Sequence, residues 1–153
     1  MNSPRDPEAA KGRDSLTREL TLPAVTGNLY PVLDFVAGML EEIRFPPDEA
    51  ARVTVALEEV FANVAMYAYA PDVGSVRVVC TLAKDPPSVS LTLMDRGRPF
   101  NPLLNQSPDT SLSLEDRKIG GLGVHIARSF MDSVAYRYEE GQNILTLTKR
   151  ISR

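Results

Sequence analysis

Apolar and polar residues alternate along several segments of the chain, and this period of two predicts β-strands. The predicted strands cover residues 15–22, 75–83, 88–94, 133–139 and 143–151. A proline-rich turn at 84–87 separates the second strand from the third. Glu140 and Gly141 stand between the last two, so these are expected to form a closing hairpin.

Apolar residues at helical spacing predict three helices, over 28–44, 48–69 and 122–131. The first has Asn28 as a candidate cap and tolerates a proline in its first turn. The apolar stripe of the second helix consists of Val53, Leu57, Val60, Val64 and Ala68. The element order is β-α-α-β-β-loop-α-β-β. It predicts a two-layer α/β sandwich with a mostly antiparallel sheet and helices on one face, rather than a doubly wound parallel sheet.

The 153 residues are enough for one domain with a core of its own. Residues 1–14 are polar and are expected to be a flexible tail, which leaves a single domain at 15–153. The net charge of −3 does not suggest a nucleic-acid surface, and no apolar run is long enough to span a membrane. The first residues lack an apolar core typical of a secretory signal, and the single cysteine excludes an intramolecular disulfide. We therefore expect a cytoplasmic protein.

The second predicted helix carries a carboxylate and an amide on one face, because Glu59 and Asn63 are four residues apart. This pair could be an ordinary polar edge of the helix. It could also be a carboxylate base beside an amide oxygen that binds a hard cation such as Mg²⁺, which takes oxygen ligands and is often shared with substrate phosphates.

A second polar group, Asp95-Arg96-Gly97, directly follows the apolar strand at 88–94. Aspartate and glycine are common in turns, so a turn is one interpretation. The other is recognition of a base: the carboxylate could accept a hydrogen bond from the amine of adenine, while Gly97 lets the backbone come close.

A third group consists of Gly120, Gly121 and Gly123 around Leu122, at the start of the last helix. Glycines at a helix N-terminus suit phosphate binding, although a flexible entry to the helix explains them equally well. Neither a Walker A loop nor a Rossmann fingerprint is present. The preceding polar loop, 97–119, is long enough to suggest a function, and Arg117 or Lys118 could reach a terminal phosphate.

Taken in order, these three groups resemble the motifs of the GHKL ATPases, and within them the bacterial anti-sigma-factor serine kinases of partner-switching systems. The resemblance extends over residues 15–151, including the closing hairpin. Glu59-Val-Phe-Ala-Asn63 is similar to the N box, Asp95-x-Gly97 to the first glycine box and Gly121-Leu-Gly123 to the second.

The resemblance implies an ATP-dependent protein serine/threonine kinase of the GHKL, or histidine-kinase-like ATPase, fold. It implies Glu59 as general base, Asn63 as magnesium ligand and Asp95 as adenine contact. The implied partners are a STAS-domain substrate, a sigma factor and a second copy of the chain. The chain departs from the family at Pro99, where a glycine is common, and at Tyr67, where a histidine is common.

Two alternatives to a serine kinase remain. The chain could be an ATP-binding interaction module that sequesters a partner without phosphoryl transfer. It could also be a detached histidine-kinase catalytic domain, which the absence of an upstream helix with a phospho-acceptor histidine makes the weaker alternative.

Overall fold

The computed structural model describes residues 15–104 and 122–151, which form one antiparallel sheet and the helices that cover it. The strands are β1 (Ser15–Pro23), β2 (Ser75–Lys84), β3 (Pro87–Asp95), β4 (Ser133–Glu139) and β5 (Gln142–Arg150). The helices are α1 (Leu29–Glu42), α2 (Pro47–Asn63) and α3 (Leu122–Phe130). A π-helical turn (Val64–Ala68) extends α2, and short 3₁₀ turns occupy Thr26–Asn28 and Pro102–Leu104.

The sheet has the order β1-β2-β3-β5-β4, and all of its described pairs are antiparallel. The chain leaves β3, returns through α3 into the edge strand β4, and turns back as β5 beside β3. The last strand therefore lies inside the sheet, between β3 and the edge strand β4, and its residues lie directly across from those of β3. The predicted two-layer architecture and element order are confirmed.

One face of the sheet forms the core, as the alternation in the sequence predicts. The residues that the three inner strands contribute to the core cluster are Val76, Val78, Cys80, Leu82, Val89, Leu91, Leu93, Leu145 and Leu147. Helix α2 packs on this face with Val53, Leu57 and Val60 of the predicted stripe, while α1 and α3 flank it. The opposite face carries hydroxyls, such as Thr17 and Thr81, whose oxygens are 3.0 Å apart.

The single cysteine is part of this core. Cys80 is fully buried on β2, and burial raises the pKa of its thiol to about 12. The thiolate, which is the reactive form, is therefore scarce at neutral pH. Among residues 15–104 and 122–151, no helix combines the length and hydropathy needed to cross a membrane.

Helix α1 ends in a Schellman motif that the sequence does not announce with a glycine. The N–H of Phe45 donates to the carbonyl of Leu40 and the N–H of Arg44 to that of Glu41, each at 3.0 Å. This arrangement puts Arg44 in the left-handed region with φ 54°. The other end of the helix differs from expectation: the Asn28 side chain donates to the Pro23 carbonyl at 2.8 Å and does not cap α1.

The closing hairpin has the predicted two-residue turn. Glu140 and Gly141 both have positive φ, 51° and 77°, which is typical of a type I′ turn between twisted strands. The turn fixes the register in which Tyr138 lies across from Asn143 and Tyr136 across from Leu145. It therefore decides which residue of β5 is the first to face the helices.

Replacing Arg44 with glycine should raise the free energy of unfolding by about 0.5–1 kcal/mol, because glycine adopts the left-handed conformation without strain. Urea denaturation of both proteins measures the change as a shift of the midpoint at constant slope. The matched control is Arg52→Gly in the interior of α2, where glycine should lower the stability by a similar amount. A lower midpoint for Arg44→Gly would contradict the assigned backbone conformation.

Candidate functional site

A cavity of about 340 Å³ lies at the end of the sheet where β3 stops and β5 begins. Its walls come from α2 and the π-helical turn, from the segment that follows β3, and from α3, β4 and β5. The lining residues are Val60, Asn63, Val64, Tyr67, Ala68, Leu93, Asp95, Arg98, Pro99, Phe100, Pro102, Val124, Tyr136, Asn143 and Leu145. The cavity is thus mostly apolar with a few polar groups, as small-molecule sites usually are.

Two buried polar side chains, Asp95 and Asn143, form one end of this cavity. They are direct partners across β3 and β5: Asp95 follows the inward-facing apolar residues of β3, and Asn143 precedes those of β5. Only 6% of Asp95 and 7% of Asn143 is exposed, and they are the two buried polar residues of the described chain. Asn143 Nδ2 donates to Asp95 Oδ1 at 2.9 Å.

The side-chain amide of Asn143 makes further contacts to the segment that follows β3. Its Nδ2 also donates to the Arg98 carbonyl at 2.8 Å, and its Oδ1 accepts from the Phe100 N–H at 3.1 Å and from the Tyr136 hydroxyl. Burial raises the pKa of Tyr136, so its hydroxyl keeps its proton at neutral pH and can donate. The amide therefore uses both hydrogens and both acceptor positions.

Gly97 brings the end of β3 against the π-helical turn. Its N–H donates to Asp95 Oδ1 at 2.9 Å, and the next N–H, from Arg98, donates to the Ala68 carbonyl at 3.0 Å. A Cβ added at Gly97 would overlap that same carbonyl. Glycine is thus required for contact with Ala68, a different reason from the close approach to a base that the sequence suggested.

Tyr69 ties the loop after the π-helical turn to both neighbouring strands. Its hydroxyl donates to the Ser75 carbonyl at 2.6 Å and accepts from the Arg96 N–H at 2.7 Å. Burial raises the pKa of the Tyr69 phenol. The hydrogen bond from the Arg96 N–H lowers this pKa, whereas the nearby Asp95 carboxylate raises it, and the net change is upward. The hydroxyl thus stays protonated and keeps both hydrogen bonds at neutral pH.

The predicted N-box residues lie on the last turn of α2. Asn63 lines the cavity, and its Nδ2 is buried without a hydrogen-bond partner. Glu59 is half-buried one helical turn earlier and is not among the lining residues, while Glu58 is exposed. Tyr67, one turn after Asn63, lines the same cavity.

The glycine-rich group is described only in part. Arg117, Lys118, Gly120 and Gly121 lie outside the described residues, as does most of the predicted long loop. Leu122 and Gly123 begin α3, and Val124 lines the cavity in the first turn of that helix. His125, the single histidine, is exposed on α3.

The structure therefore brings Asn63, Asp95 and the start of α3 to one cavity, as the motifs predicted. Three further residues that organise the aspartate and its turn are not indicated by the motifs: Asn143, Tyr136 and Tyr69. One signal could have indicated Asn143, since it is a polar residue two positions before Leu145 on the inward face of a predicted strand. Neither tyrosine differs in the sequence from an ordinary packing residue.

The cavity suits a flat, nitrogen-containing ring. Its walls are aliphatic and aromatic, and at its buried end Asp95 Oδ1 already accepts two N–H groups. No partner for the other oxygen is found within the described ranges, so Oδ2 remains available to an amine donor. The same ranges hold no group of three or more His, Cys, Asp or Glu side chains suited to a metal ion.

Comparison with known proteins agrees with this geometry. Residues 22–149 match the family model of the histidine kinase-like ATPase domain. The chain is 30% identical over 139 residues to the serine/threonine-protein kinase BtrW of Bordetella bronchiseptica, covering 88% of this chain and 92% of that one. It is 27% identical, again over 139 residues, to the serine-protein kinase RsbW of Bacillus mycoides, with 88% and 85% covered.

Two solved structures share the fold. One contains the RsbU and RsbW domains of Rv1364c from Mycobacterium tuberculosis, with a TM-score of 0.64 and 23% identity. The match covers 90% of this chain and 33% of that longer one. The other is the SiaB–SiaC complex of Pseudomonas aeruginosa, with a TM-score of 0.56 and 15% identity over 94% of this chain and 95% of that one.

Replacing Gly97 with alanine should lower the free energy of unfolding by about 1–3 kcal/mol, because the added methyl group overlaps the Ala68 carbonyl. The matched control is Gly38→Ala, since a Cβ at Gly38 in α1 meets nothing within 4 Å. That change should raise the stability by about 0.5–1 kcal/mol. Urea denaturation measures both, and equal effects of the two substitutions would contradict the described contact.

Proposed function

Because the chain belongs to the histidine kinase-like ATPase family, we propose that it is an ATP-dependent protein serine/threonine kinase. The observation that carries the proposal is the cavity that Asn63 and Asp95 line together. A carboxylate with one available oxygen and an unsatisfied amide are the two polar groups that an adenine nucleotide with its metal would require in such a site. Both relatives reported above are named protein kinases, which supports the choice of reaction.

Asp95 is the proposed contact for the base. Its Oδ2 accepts a hydrogen bond from the exocyclic amine of adenine, which distinguishes adenine from a purine with an oxygen at that position. The apolar wall formed by Val60, Leu93 and Leu145 packs against the ring. Gly97 holds Asp95 through its N–H and is proposed to let the backbone come close to the base.

Asn63 is the proposed ligand of Mg²⁺. The buried and unpartnered Nδ2 shows that this amide is not satisfied by the protein alone, and an amide oxygen is a suitable ligand for a hard cation. When bound, the cation neutralises charge on the phosphate oxygens. A turn of 180° about the last torsion of the amide exchanges the positions of its oxygen and its nitrogen.

Glu59 is the proposed general base. It accepts the proton of a seryl or threonyl hydroxyl while the hydroxyl oxygen bonds to the γ-phosphorus, and the bond between that phosphorus and the β–γ bridging oxygen breaks to leave ADP. Glu59 is half-buried one helical turn before Asn63, which is a lining residue of the same helix face.

The glycine-rich group is proposed to bind the phosphates. Gly120, Gly121, Leu122 and Gly123 would present backbone N–H groups at the start of α3, where anions are favoured. Lys118 would supply a positive charge to the terminal phosphate. Val124, the first described lining residue of α3, locates the start of this helix at the cavity.

The proposed partners follow from the same family assignment. A partner-switching kinase phosphorylates a small STAS-domain protein, sequesters a sigma factor as a homodimer, and acts in the cytoplasm. The structural neighbour from Pseudomonas aeruginosa is itself a complex of two proteins, SiaB with SiaC, which supports a protein as partner. Phosphorylation adds a charge of about −1.5 to −2 and can break such an interface.

A nucleotide-binding module without phosphoryl transfer is the second candidate. Two observations support this second candidate. Glu59 is not among the residues that line the cavity, and Pro99 stands where a glycine is common in the first glycine box. The two candidates share the nucleotide site and differ only in turnover.

Replacing Glu59 with glutamine should abolish phosphoryl transfer and leave ATP binding within about threefold, since glutamine keeps the shape and loses the base. The measurement is transfer of label from γ-labelled ATP, with magnesium, to a STAS-domain protein encoded near this gene, beside calorimetric ATP binding. The matched control is Glu58→Gln, one residue earlier and exposed, which should retain activity. Full transfer by the Glu59 variant would refute its role, and binding without transfer by the unmodified protein would favour the second candidate.

Replacing Asn63 with alanine should remove the dependence of ATP affinity on magnesium. Calorimetric titration with and without the cation measures this dependence directly and needs no protein substrate. The variant should still bind metal-free ATP through Asp95 and the apolar wall. An unchanged effect of magnesium on the affinity would rule out Asn63 as a ligand.

A further inference from the structure

We propose that Asn143 is a positioning residue that determines base selectivity, by holding Asp95 in one orientation and fixing the chain segment on both sides of Pro99. The inference rests on the proposed function, because it concerns how the same site recognises adenine. It assigns a role to a residue outside the three motifs of the sequence.

The hydrogen-bond partners of the Asn143 amide determine which way its oxygen and its nitrogen face. The Phe100 N–H can only donate, so it must face the amide oxygen, and the Arg98 carbonyl can only accept, so it must face the amide nitrogen. The nitrogen therefore donates its second hydrogen to Asp95 Oδ1. An amide turned the other way would place its oxygen against two acceptors, the Arg98 carbonyl and Asp95 Oδ1. It would also place its nitrogen against a donor, the Phe100 N–H.

This fixed amide also determines which oxygen of Asp95 is available to a ligand. Oδ1 accepts from Asn143 at 2.9 Å and from the Gly97 N–H at 2.9 Å. One donor, Asn143, lies across the sheet on β5, and the other, the Gly97 N–H, lies two residues after Asp95. Together they prevent the carboxylate from rotating. Oδ2 then remains as the acceptor for the amine of the base.

The same amide explains how the site tolerates Pro99. Proline has no N–H, so residue 99 cannot donate a hydrogen bond to hold the loop. The groups on either side of it are held instead: the Arg98 carbonyl accepts from Asn143, and the Phe100 N–H donates to Asn143. Pro99 and Phe100 both line the cavity, so the position of this segment shapes the space for the base.

The test compares two nucleotides that differ only in the amine, ATP and purine riboside 5′-triphosphate. The unmodified protein should prefer ATP by about tenfold or more, the ratio expected for one hydrogen bond to a buried carboxylate. Asn143→Leu, which keeps the approximate size and loses every side-chain hydrogen bond of Asn143, should reduce that ratio to within about threefold of one. Calorimetric or fluorescence titration gives both affinities for each protein.

The controls separate positioning from stability. Gln142→Met removes the neighbouring amide at the start of β5 and should leave the ratio unchanged. Asp95→Asn should lower the ratio by itself, and the double variant Asp95→Asn with Asn143→Leu should lower it no further, because the two residues act as one unit. If circular dichroism shows that Asn143→Leu is unfolded, Asn143→Ala is measured in the same way.

The outcomes are distinct. A variant of Asn143 that weakens both nucleotides equally and keeps the ratio would overturn the positioning role, since loss of structure alone has that effect. Further loss of the ratio in the double variant would overturn it as well. If the unmodified protein binds neither nucleotide, or binds both equally, the adenine site of the proposed function fails, whatever the variants of Asn143 do.

Discussion

The hydrogen bond between Asn143 and Asp95 is the interaction on which the candidate site depends. It joins the last inward-facing residue of one central strand to the first of the next, where the core gives way to the cavity. A buried carboxylate and a buried amide are costly unless their polar atoms are satisfied. Here the Asp95 carboxylate accepts from the Gly97 N–H, and the Asn143 amide oxygen accepts from the Phe100 N–H. The polar end of the core thus also orders the loop that leaves it.

The π-helical turn solves a related problem on the other side of the cavity. Ala68 is the last residue of this turn, and the last carbonyls of a helix have no intrahelical N–H to accept from. The Ala68 carbonyl accepts from the Arg98 N–H instead, which joins the helix layer directly to the chain after β3. π-Helical turns are often found at functional sites, and this one separates Asn63 from the loop anchored by Tyr69. The hydrogen bond of Ala68 with Arg98 and those of Tyr69 with Ser75 and Arg96 therefore join the end of the helix to the sheet.

Much of the fold could be predicted because its strands and helices follow simple periods. The sequence predicts a mostly antiparallel sheet and the hairpin around Glu140-Gly141, and the structure agrees with both. The left-handed residue Arg44 and the π-helical turn are not predicted, since neither a glycine nor a proline marks them. Within the site, Asp95 stood out because it interrupts an apolar run. Asn143 did not, because its importance comes from contacts with Arg98 and Phe100, which only the folded chain brings near.

The type I′ turn has a consequence for how this protein can vary. Asn143 is only two residues after Gly141. The length of the turn therefore determines that Asn143, and not a neighbouring residue, lies opposite Asp95. Because side chains on a strand alternate in direction, one inserted residue would bring Gln142 or Ile144 to that place or face the amide outward. We expect homologous chains to tolerate changes of residue type in this turn far better than changes of its length.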